Sequence, residues 1–299
     1  MTEPMRVLVL GAGGMMGHKL VQRLARDVSV TGTLRGDGEP YRSSPALASA
    51  RLRRGVDSED LATIAAALDE CRPAAVINCI GVIKQREGAK DPVEAIAVNA
   101  LFPHLLVRLC AERSIRLIHF STDCVFSGQG GPYRESDAAD PTDLYGRTKL
   151  LGEVAQEGCL TLRTSIIGRE LAHHASLVDW FLAQRGRRIN GFARALYSGL
   201  TTHAMADVVA TLLLRFPGLS GLWHLAAEPI SKFALLGIVN EVYGAGVEIT
   251  RDETFVCDRR LDGSRFSAAT GIALPPWRQM IEEMQRDPTL YPSREPMGG

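Results

Sequence analysis

The sequence predicts an α/β protein: a Rossmann-type, doubly wound parallel sheet with a smaller carboxy-terminal region. Three observations carry that expectation. Short apolar runs rich in Val and Ile alternate with amphipathic runs through the first half. A turn with glycines at 11, 14 and 17 follows the first apolar run directly. The second half loses the strict alternation. Strands alternating with helices imply βαβ units, and those imply a parallel sheet with helices on both faces.

The elements follow in order. "MRVLVLG", "VSVTGT", "AAVINCIG", "IRLIHFS" and "CLTLRTS" are apolar nearly throughout and read as strands buried on both faces. "MMGHKLVQRLARD" and "SEDLATIAAALDEC" are the helical patterns between them. Residues 35–55 are polar, carry Gly, Pro and Ser, and read as a surface excursion. In "DPVEAIAVNALFPHLLVRLC", Asp91, Pro92 and Glu94 form a capping box with proline in the first turn. Pro103 lies inside that helix and cannot donate to the Asn99 carbonyl four residues back. A local kink is expected there, either freeing that carbonyl to hold a water or without chemical role.

In "DLYGRTKLLGE", Leu144, Thr148, Leu151 and Ala155 follow helical spacing and are expected to face the sheet. Tyr145, Lys149 and Gly152 occupy the adjoining stripe, toward a cleft edge. Gly146 and Gly152 each cost a helix about 1 kcal/mol relative to Ala, which close approach by a ligand or another backbone would explain. Further on, "PGLSGLWHLAAEPISKFALLGIVNEVYG" reads as strand, turn and helix, and the tail "RDPTLYPSREPMGG" is expected to fray. The organisation expected is residues 1–167 as one domain and 168–299 as a second region, some of whose segments return to the first.

Bulk properties narrow the classes. A chain of 299 residues can bury a large core. Lys+Arg and Asp+Glu are both 34, which argues against a nucleic-acid binder. The six cysteines, at 71, 79, 110, 124, 159 and 257, approach no Cys-x-x-Cys spacing, so neither a metal nor a redox site is expected. The start "MTEPMRVLVLGAGG" has too short an apolar stretch for a signal peptide or membrane span. A soluble, reduced, cytoplasmic protein without a membrane partner is expected.

"VLVLGAGGMMGHKL" sets its glycines after a strand and at the start of a helix, where the backbone turns sharply and approaches a pyrophosphate. Met16 stands where Gly-x-Gly-x-x-Gly needs its third glycine, but Gly-x-x-Gly-x-x-Gly fits in full. This strand–turn–helix context points to a dinucleotide. After the second strand the chain reads "TGTLRGDG". Arg35 there suits a 2′-phosphate and favours NADP over NAD, against the alternative of a solvated loop arginine. Asp57 meets the adenine edge or caps the following helix.

Tyr145 and Lys149 stand four apart on a helical run, a pattern that alone is common. Hydroxyls in "HFSTDCVFSG" sit at the carboxyl end of a central strand, where open α/β sheets bind ligands. "GVIKQRE" offers Lys84 or Gln85 to a substrate, and "AQRGRRING" offers Arg187 and Arg188 to a diphosphate; both segments read equally as solvated loops. His173 and His174 read as polar loop residues, Trp180 and Trp223 as core.

"GAGGMMG", "NCIG", "VNA", "STDCVFSG" and "YGRTKLLGE", with the later "YSGLTT", "ISKFALL" and "DRRLDGSRF", make most of the chain resemble a known family. It resembles the extended short-chain dehydrogenase/reductases, and most the dTDP-4-dehydrorhamnose reductase branch of sugar-nucleotide enzymes. The resemblance implies that Tyr145 donates a proton to a substrate carbonyl. It implies that Lys149 binds the nicotinamide ribose and lowers the phenol from its usual pKa of ~10. Thr122, with Ser121 as the alternative, would hydrogen-bond the carbonyl, and Asn99 would complete a water relay to Lys149. The cofactor would be held by Gly11, Gly14, Met15, Met16, Gly17, Arg35, Asp57, Cys79, Gly81 and Lys149. The substrate would meet Lys84, Thr122, Tyr145, Arg187 and Arg265.

The implied reaction is NADPH-dependent reduction of the 4-keto group of a nucleotide-diphosphate deoxysugar, with NADP(H) preferred over NAD(H). Residues 1–167 would be the NAD(P)-binding domain, and 168–299 mainly substrate-binding. Related dehydratases carry Thr-Asp-Glu, where this chain has Thr122, Asp123 and Cys124, so dehydration ranks low. An NAD-dependent epimerase and a non-catalytic NADP-binding sensor remain as alternatives. The superfamily makes a homodimer an expected assembly.

Overall fold

Valine and isoleucine runs form strands because branched side chains pack well on a pleated surface, and here they stack into one parallel sheet. The computed structural model describes residues 3–41, 44–83 and 91–291. Its strands are β1 (Arg6–Leu10), β2 (Ser29–Thr33), β3 (Arg51–Arg53), β4 (Ala75–Asn78), β5 (Arg116–Thr122) and β6 (Cys159–Thr164). They continue with β7 (Ile166–Ile167), β8 (Arg188–Tyr197), β9 (Leu200–Thr201), β10 (Gly221–His224), β11 (Ile230–Ser231) and β12 (Glu248–Asp258). The main sheet runs β10-β6-β5-β4-β1-β2-β3, all parallel. Strand order reverses between β1 and β4, so a crevice opens at their carboxyl ends, where such sheets bind ligands.

The helices are α1 (Gly17–Leu24), α2 (Leu61–Cys71), α3 (Pro92–Ala95), α4 (Phe102–Ala111), α5 (Leu144–Leu151), α6 (Leu177–Leu182), α7 (Thr202–Arg215), α8 (Lys232–Tyr243), α9 (Ser264–Thr270) and α10 (Trp277–Gln285). Two apolar cores flank the sheet. One gathers α1, α7, α8 and α10; the other gathers α2 and α4. From the second half, β8, β11 and β12 form a separate three-stranded sheet. β10 instead extends the main sheet beside β6, and α7 packs on α1.

Three local expectations need correction. Within the stretch read as a surface excursion, Arg51–Arg53 forms the edge strand β3. A three-residue edge strand with two arginines carries no apolar signal. On α5, Thr148 is buried but Leu151 is 64% exposed, and Ala155 lies beyond the helix end. The helix stops at Gly152, and its buried residues include Gly146, Thr148 and Lys149 rather than the leucine at 151. The tail does not fray as far as Tyr291. Lys19, buried on α1, pairs with Asp287 and donates to Thr289 Oγ1 at 2.9 Å, and Tyr291 donates to Asp287 Oδ2 at 2.8 Å. A buried ammonium needs such partners, and the segment from Asp287 to Tyr291 supplies them.

Pro103 acts where expected, but through a wider helical turn. Ile96–Leu101 is π-helical, and the Phe102 amide donates five residues back to Ala97. Asp91 caps α3 by accepting from the Val93 amide at 2.9 Å. Pro92–Ala111 is apolar and long enough to cross a membrane by length and composition. Yet Phe102, Leu106, Val107 and Cys110 are buried in the core against β4 and β5, as in a core helix.

The glycines of α5 meet backbone on both sides. A Cβ at Gly152 would stand 1.9 Å from the Asn99 carbonyl oxygen, and one at Gly146 would stand 2.2 Å from that of Cys124. Gly237, inside α8, has nothing within 4 Å of its would-be Cβ. Gly152→Ala is therefore expected to cost about 1–3 kcal/mol or more, because rigid backbone cannot yield. Gly237→Ala should gain about 1 kcal/mol from helix propensity alone. Thermal melts of the two variants check this; a Gly152→Ala protein that melts with the wild type would contradict the tight contact.

Candidate active site

Two adjoining cavities occupy the crevice at the strand-order reversal. The first, of about 470 Å³, is lined by Gly11, Gly13, Gly14, Thr33 to Arg35, Tyr41, Val56, Ser58, Glu94, Val98 and His173. The second, of about 350 Å³, is lined by Met15, Met16, Asn99, residues 120–124, Tyr145, Lys149, Lys232 and neighbours. Gly14, Cys79, Ile80, Gly81 and Val82 line both.

The glycine-rich turn builds the floor of the first cavity. Gly11 sits at φ +77, and its amide donates to Thr33 Oγ1 at 3.1 Å. A Cβ at Gly17 would stand 2.1 Å from the Gly11 carbonyl oxygen, so the helix can start this close to the strand only with glycine. Met16, at the N-cap of α1, offers no side-chain cap. The first amides of the helix thus face the turn uncapped by a side chain, the arrangement that receives a phosphate. The Tyr41 ring covers Gly13, within 2.5 Å of where a Cβ would stand. Arg35 lines this cavity as anticipated. Asp57 does not: its carboxylate accepts from the Glu59 amide at 3.1 Å, while Asp60 caps α2 through Ala62. His173, read as a plain loop residue, lines the cavity at φ 73, beside His174 at φ 47.

β5 and α5 supply the second cavity. Lys149 is buried and donates from Nζ to the Phe120 carbonyl at 2.6 Å. Burial pulls its pKa down to about 8, against the opposing charge effects of Glu153 and Cys79. Burial pushes the Tyr145 phenol well above its ordinary value; nearby Cys124, Asp123 and Asp143 add to this, and a hydrogen bond with Thr122 opposes it. Tyr145 is held as a neutral, protonated acid. Burial likewise raises the Cys79 thiol, which leaves it an apolar wall rather than a nucleophile.

Ser121 and Thr122 have different partners. Ser121 donates to Glu153 Oε1 at 2.6 Å, within a buried network where Arg163 holds the same carboxylate. Thr122 is linked instead to Tyr145 and to Asp123. Asn99 lines the cavity, but its amide is spent on Val82, accepting from its N–H and donating to its carbonyl, both at 2.9 Å. No hydrogen bond joins Asn99 to Lys149 among the described residues.

The remaining substrate candidates fare differently. Lys84, with Gln85, lies outside the described residues. Arg187 and Arg188 line neither cavity, and Arg188 pairs with Glu248 on the neighbouring strand. Arg265 is also absent from the lining: it donates to the Leu222 carbonyl and lies 3.7 Å from the centre of the Trp223 ring. The neighbouring Arg259 reaches the site's wall, donating to the Phe126 carbonyl at 3.0 Å and approaching Cys124 Sγ at 3.3 Å. Lys232 was not singled out, although it lies within "ISKFALL", one of the segments that carry the resemblance, directly after the serine that caps α8. Among the described residues no cluster of metal-ligating side chains occurs.

A glycine turn at the reversal point, beside a Tyr–Lys pair on α5, gives the chain the Rossmann-type architecture of the extended short-chain dehydrogenase/reductase class. The family model described as RmlD substrate binding domain matches residues 5–289, and the chain belongs to that family. The dTDP-4-keto-6-deoxy-D-glucose reductase of Streptomyces niveus is 37% identical over 151 residues, 50% of this chain and 46% of that protein, so the match spans under half of that relative. A probable low-salt glycan biosynthesis reductase of Haloferax volcanii is 32% identical over 233 residues, 75% of each chain. In fold, the chain is similar to the crystal structure of dTDP-4-dehydrorhamnose reductase from Bacillus anthracis in complex with NADP. The TM-score is 0.76 at 18% identity, covering 94% of this chain and 98% of that one.

Lys149 gives the site a pH signature. Its folded value, about 8, lies below the usual lysine value of ~10.4, so burying the ammonium costs stability at lower pH, and that cost fades as pH rises between the two. Cofactor affinity should run the opposite way, falling as the ammonium loses its proton through about 8. NADPH titrations followed by fluorescence across that pH should show the step in wild type and none in Lys149→Met.

Proposed function

We propose that the protein reduces the 4-keto group of a deoxysugar carried on a nucleoside diphosphate, using NADPH. The observation that carries this reading is the convergence of Tyr145, Lys149 and Thr122 on one cavity that adjoins the glycine-turn cavity. The names of the similar proteins support it, each being called a reductase.

The residues present fit a dinucleotide. Side chains on Gly11, Gly14 and Gly17 would crowd the turn that a pyrophosphate approaches. Met15, Met16, Cys79 and Gly81 would flank the cofactor, and Arg35 would meet a 2′-phosphate, which favours NADP(H) over NAD(H). When bound, NADPH supplies the hydride. Tyr145, kept protonated by burial, donates its proton to the carbonyl oxygen as negative charge develops there. Thr122 steadies the same oxygen, and Lys149 contributes a buried positive charge beside the acid. Asn99 acts as a positioning residue by fixing Val82 at the junction of the two cavities. Cys124 offers no carboxyl, in keeping with reduction rather than elimination. Residues 1–167 would serve mainly the cofactor and 168–299 mainly the sugar, in a cytoplasmic protein that pairs as a homodimer.

NADPH oxidation, followed at its near-ultraviolet absorbance with a panel of 4-keto-6-deoxy sugar nucleotides, tests the reading. Tyr145→Phe should lose on the order of 10²–10⁴-fold in kcat while NADPH binding survives. Arg35→Ser should weaken NADPH by roughly tenfold or more and leave NADH unaffected. A Tyr145→Phe protein as active as wild type would remove the phenol from the chemistry.

A further inference from the structure

The catalytic cavity also holds an ammonium that has no acceptor among the described residues. Lys232 is the first residue of α8, which Ser231 caps by accepting from the Ala234 amide. Its Nζ lines the cavity with Tyr145, Thr122 and Asp123 and lies 3.7 Å from the centre of the Tyr197 ring. Among the described residues it has no hydrogen bond and no ion pair within 4.0 Å, although Asp123 is near enough to favour its charge.

Asp123 is the complementary half. It is 6% exposed, lines the same cavity, and accepts from Thr122 Oγ1 at 3.1 Å. Tyr145, Thr122, Asp123 and Lys232 thus line one cavity, with Thr122 bonded to the Asp123 carboxylate. Arg259, the other cation nearby, is already spent on the Phe126 carbonyl and Cys124. A half-buried ammonium and a buried carboxylate that do not close on each other leave one donor and one acceptor facing the cavity.

Resting on the reductase reading above, we propose that Lys232 and Asp123 together recognise a hydroxyl on the sugar carbon next to the reacting carbonyl. The ammonium donates to that hydroxyl's oxygen, and the carboxylate accepts its proton. Thr122 donates to Asp123 and lines the cavity with Tyr145, which places the pair beside the oxygen Tyr145 serves. A neutral polyhydroxylated sugar suits the pair, whereas a sugar lacking that hydroxyl leaves both charges unsatisfied, a strong basis for rejection. Lys232 comes from α8, in the second half of the chain, and Tyr145 from α5, so specificity and acid catalysis reach the cavity from different elements.

The test uses the full chain loaded with NADP+, titrated calorimetrically with dTDP-rhamnose and, separately, with free dTDP; KM is measured in the NADPH assay. Lys232→Met and Asp123→Asn should raise Kd and KM for the sugar nucleotide on the order of 10–100-fold, with Kd for NADPH and free dTDP unchanged. Lys232→Arg, which keeps the charge, should recover part of the loss and shows that the position tolerates substitution. An unchanged sugar-nucleotide Kd in Lys232→Met overturns the inference. Equal weakening of free dTDP also overturns it, because the ammonium would then serve the diphosphate. A wild type that binds dTDP-rhamnose yet oxidises no NADPH with any keto sugar rejects the reductase reading instead, while the binding comparison still decides the role of Lys232.

Discussion

Backbone packed directly on backbone seats the helix that carries Tyr145 and Lys149. Gly152 lies against the Asn99 carbonyl and Gly146 against that of Cys124, with no room for a methyl group at either point. Both contacts depend on neighbours being shaped for them. The π turn at Ile96–Leu101, forced by the missing amide of Pro103, fixes the Asn99 end, and the turn after β5 fixes the Cys124 end. Held this closely, α5 brings Lys149 within 2.6 Å of the Phe120 carbonyl and keeps Tyr145 beside Thr122. A helix standing off by the width of a side chain would open the site to water and lose both contacts.

Burial then sets the electrostatics. The same enclosure pushes the phenol up and the ammonium down, so the pair rests as a neutral acid beside a cation held near its titration point. A protonated phenol is the form that can give a proton to a carbonyl oxygen. The neighbouring Ser121–Glu153–Arg163 network is closed on itself and buried, so it braces β5 and β6 and leaves Thr122 to face the cavity. A second buried network, Lys19 with Asp287 and Tyr291, ties the end of the described chain to the helix that follows the glycine turn.

What was legible in the sequence was local or periodic. Five strands, the glycine turn and the Tyr145–Lys149 spacing are patterns within a few residues, and each stands in the structure close to where the pattern lies. The cost of Gly146 and Gly152 was legible too, as a demand for close approach, although not which backbone would meet them. The features that were missed depend on contacts far apart in sequence. β3 exists because β2 offers an edge, and Tyr291 is ordered because Lys19 needs a counter-ion. In "DRRLDGSRF" the pattern does not distinguish the arginines: only the path of the chain after β12 turns Arg259 toward Cys124 and Arg265 toward the Leu222 carbonyl. Lys232 escaped notice because one lysine after a helix cap looks like any solvated helix start.

The central claim is net reduction of a sugar at a tyrosine-dependent site. The most direct measurement is stoichiometric: NADP+ formed by absorbance, and sugar converted by NMR, in one reaction with a 4-keto-6-deoxy sugar nucleotide. Equal amounts of NADP+ and of a new 4-hydroxy sugar are the expected result. Converted sugar without NADP+ would contradict the account and mark an epimerase, and neither product would leave a protein that binds the cofactor without turning it over.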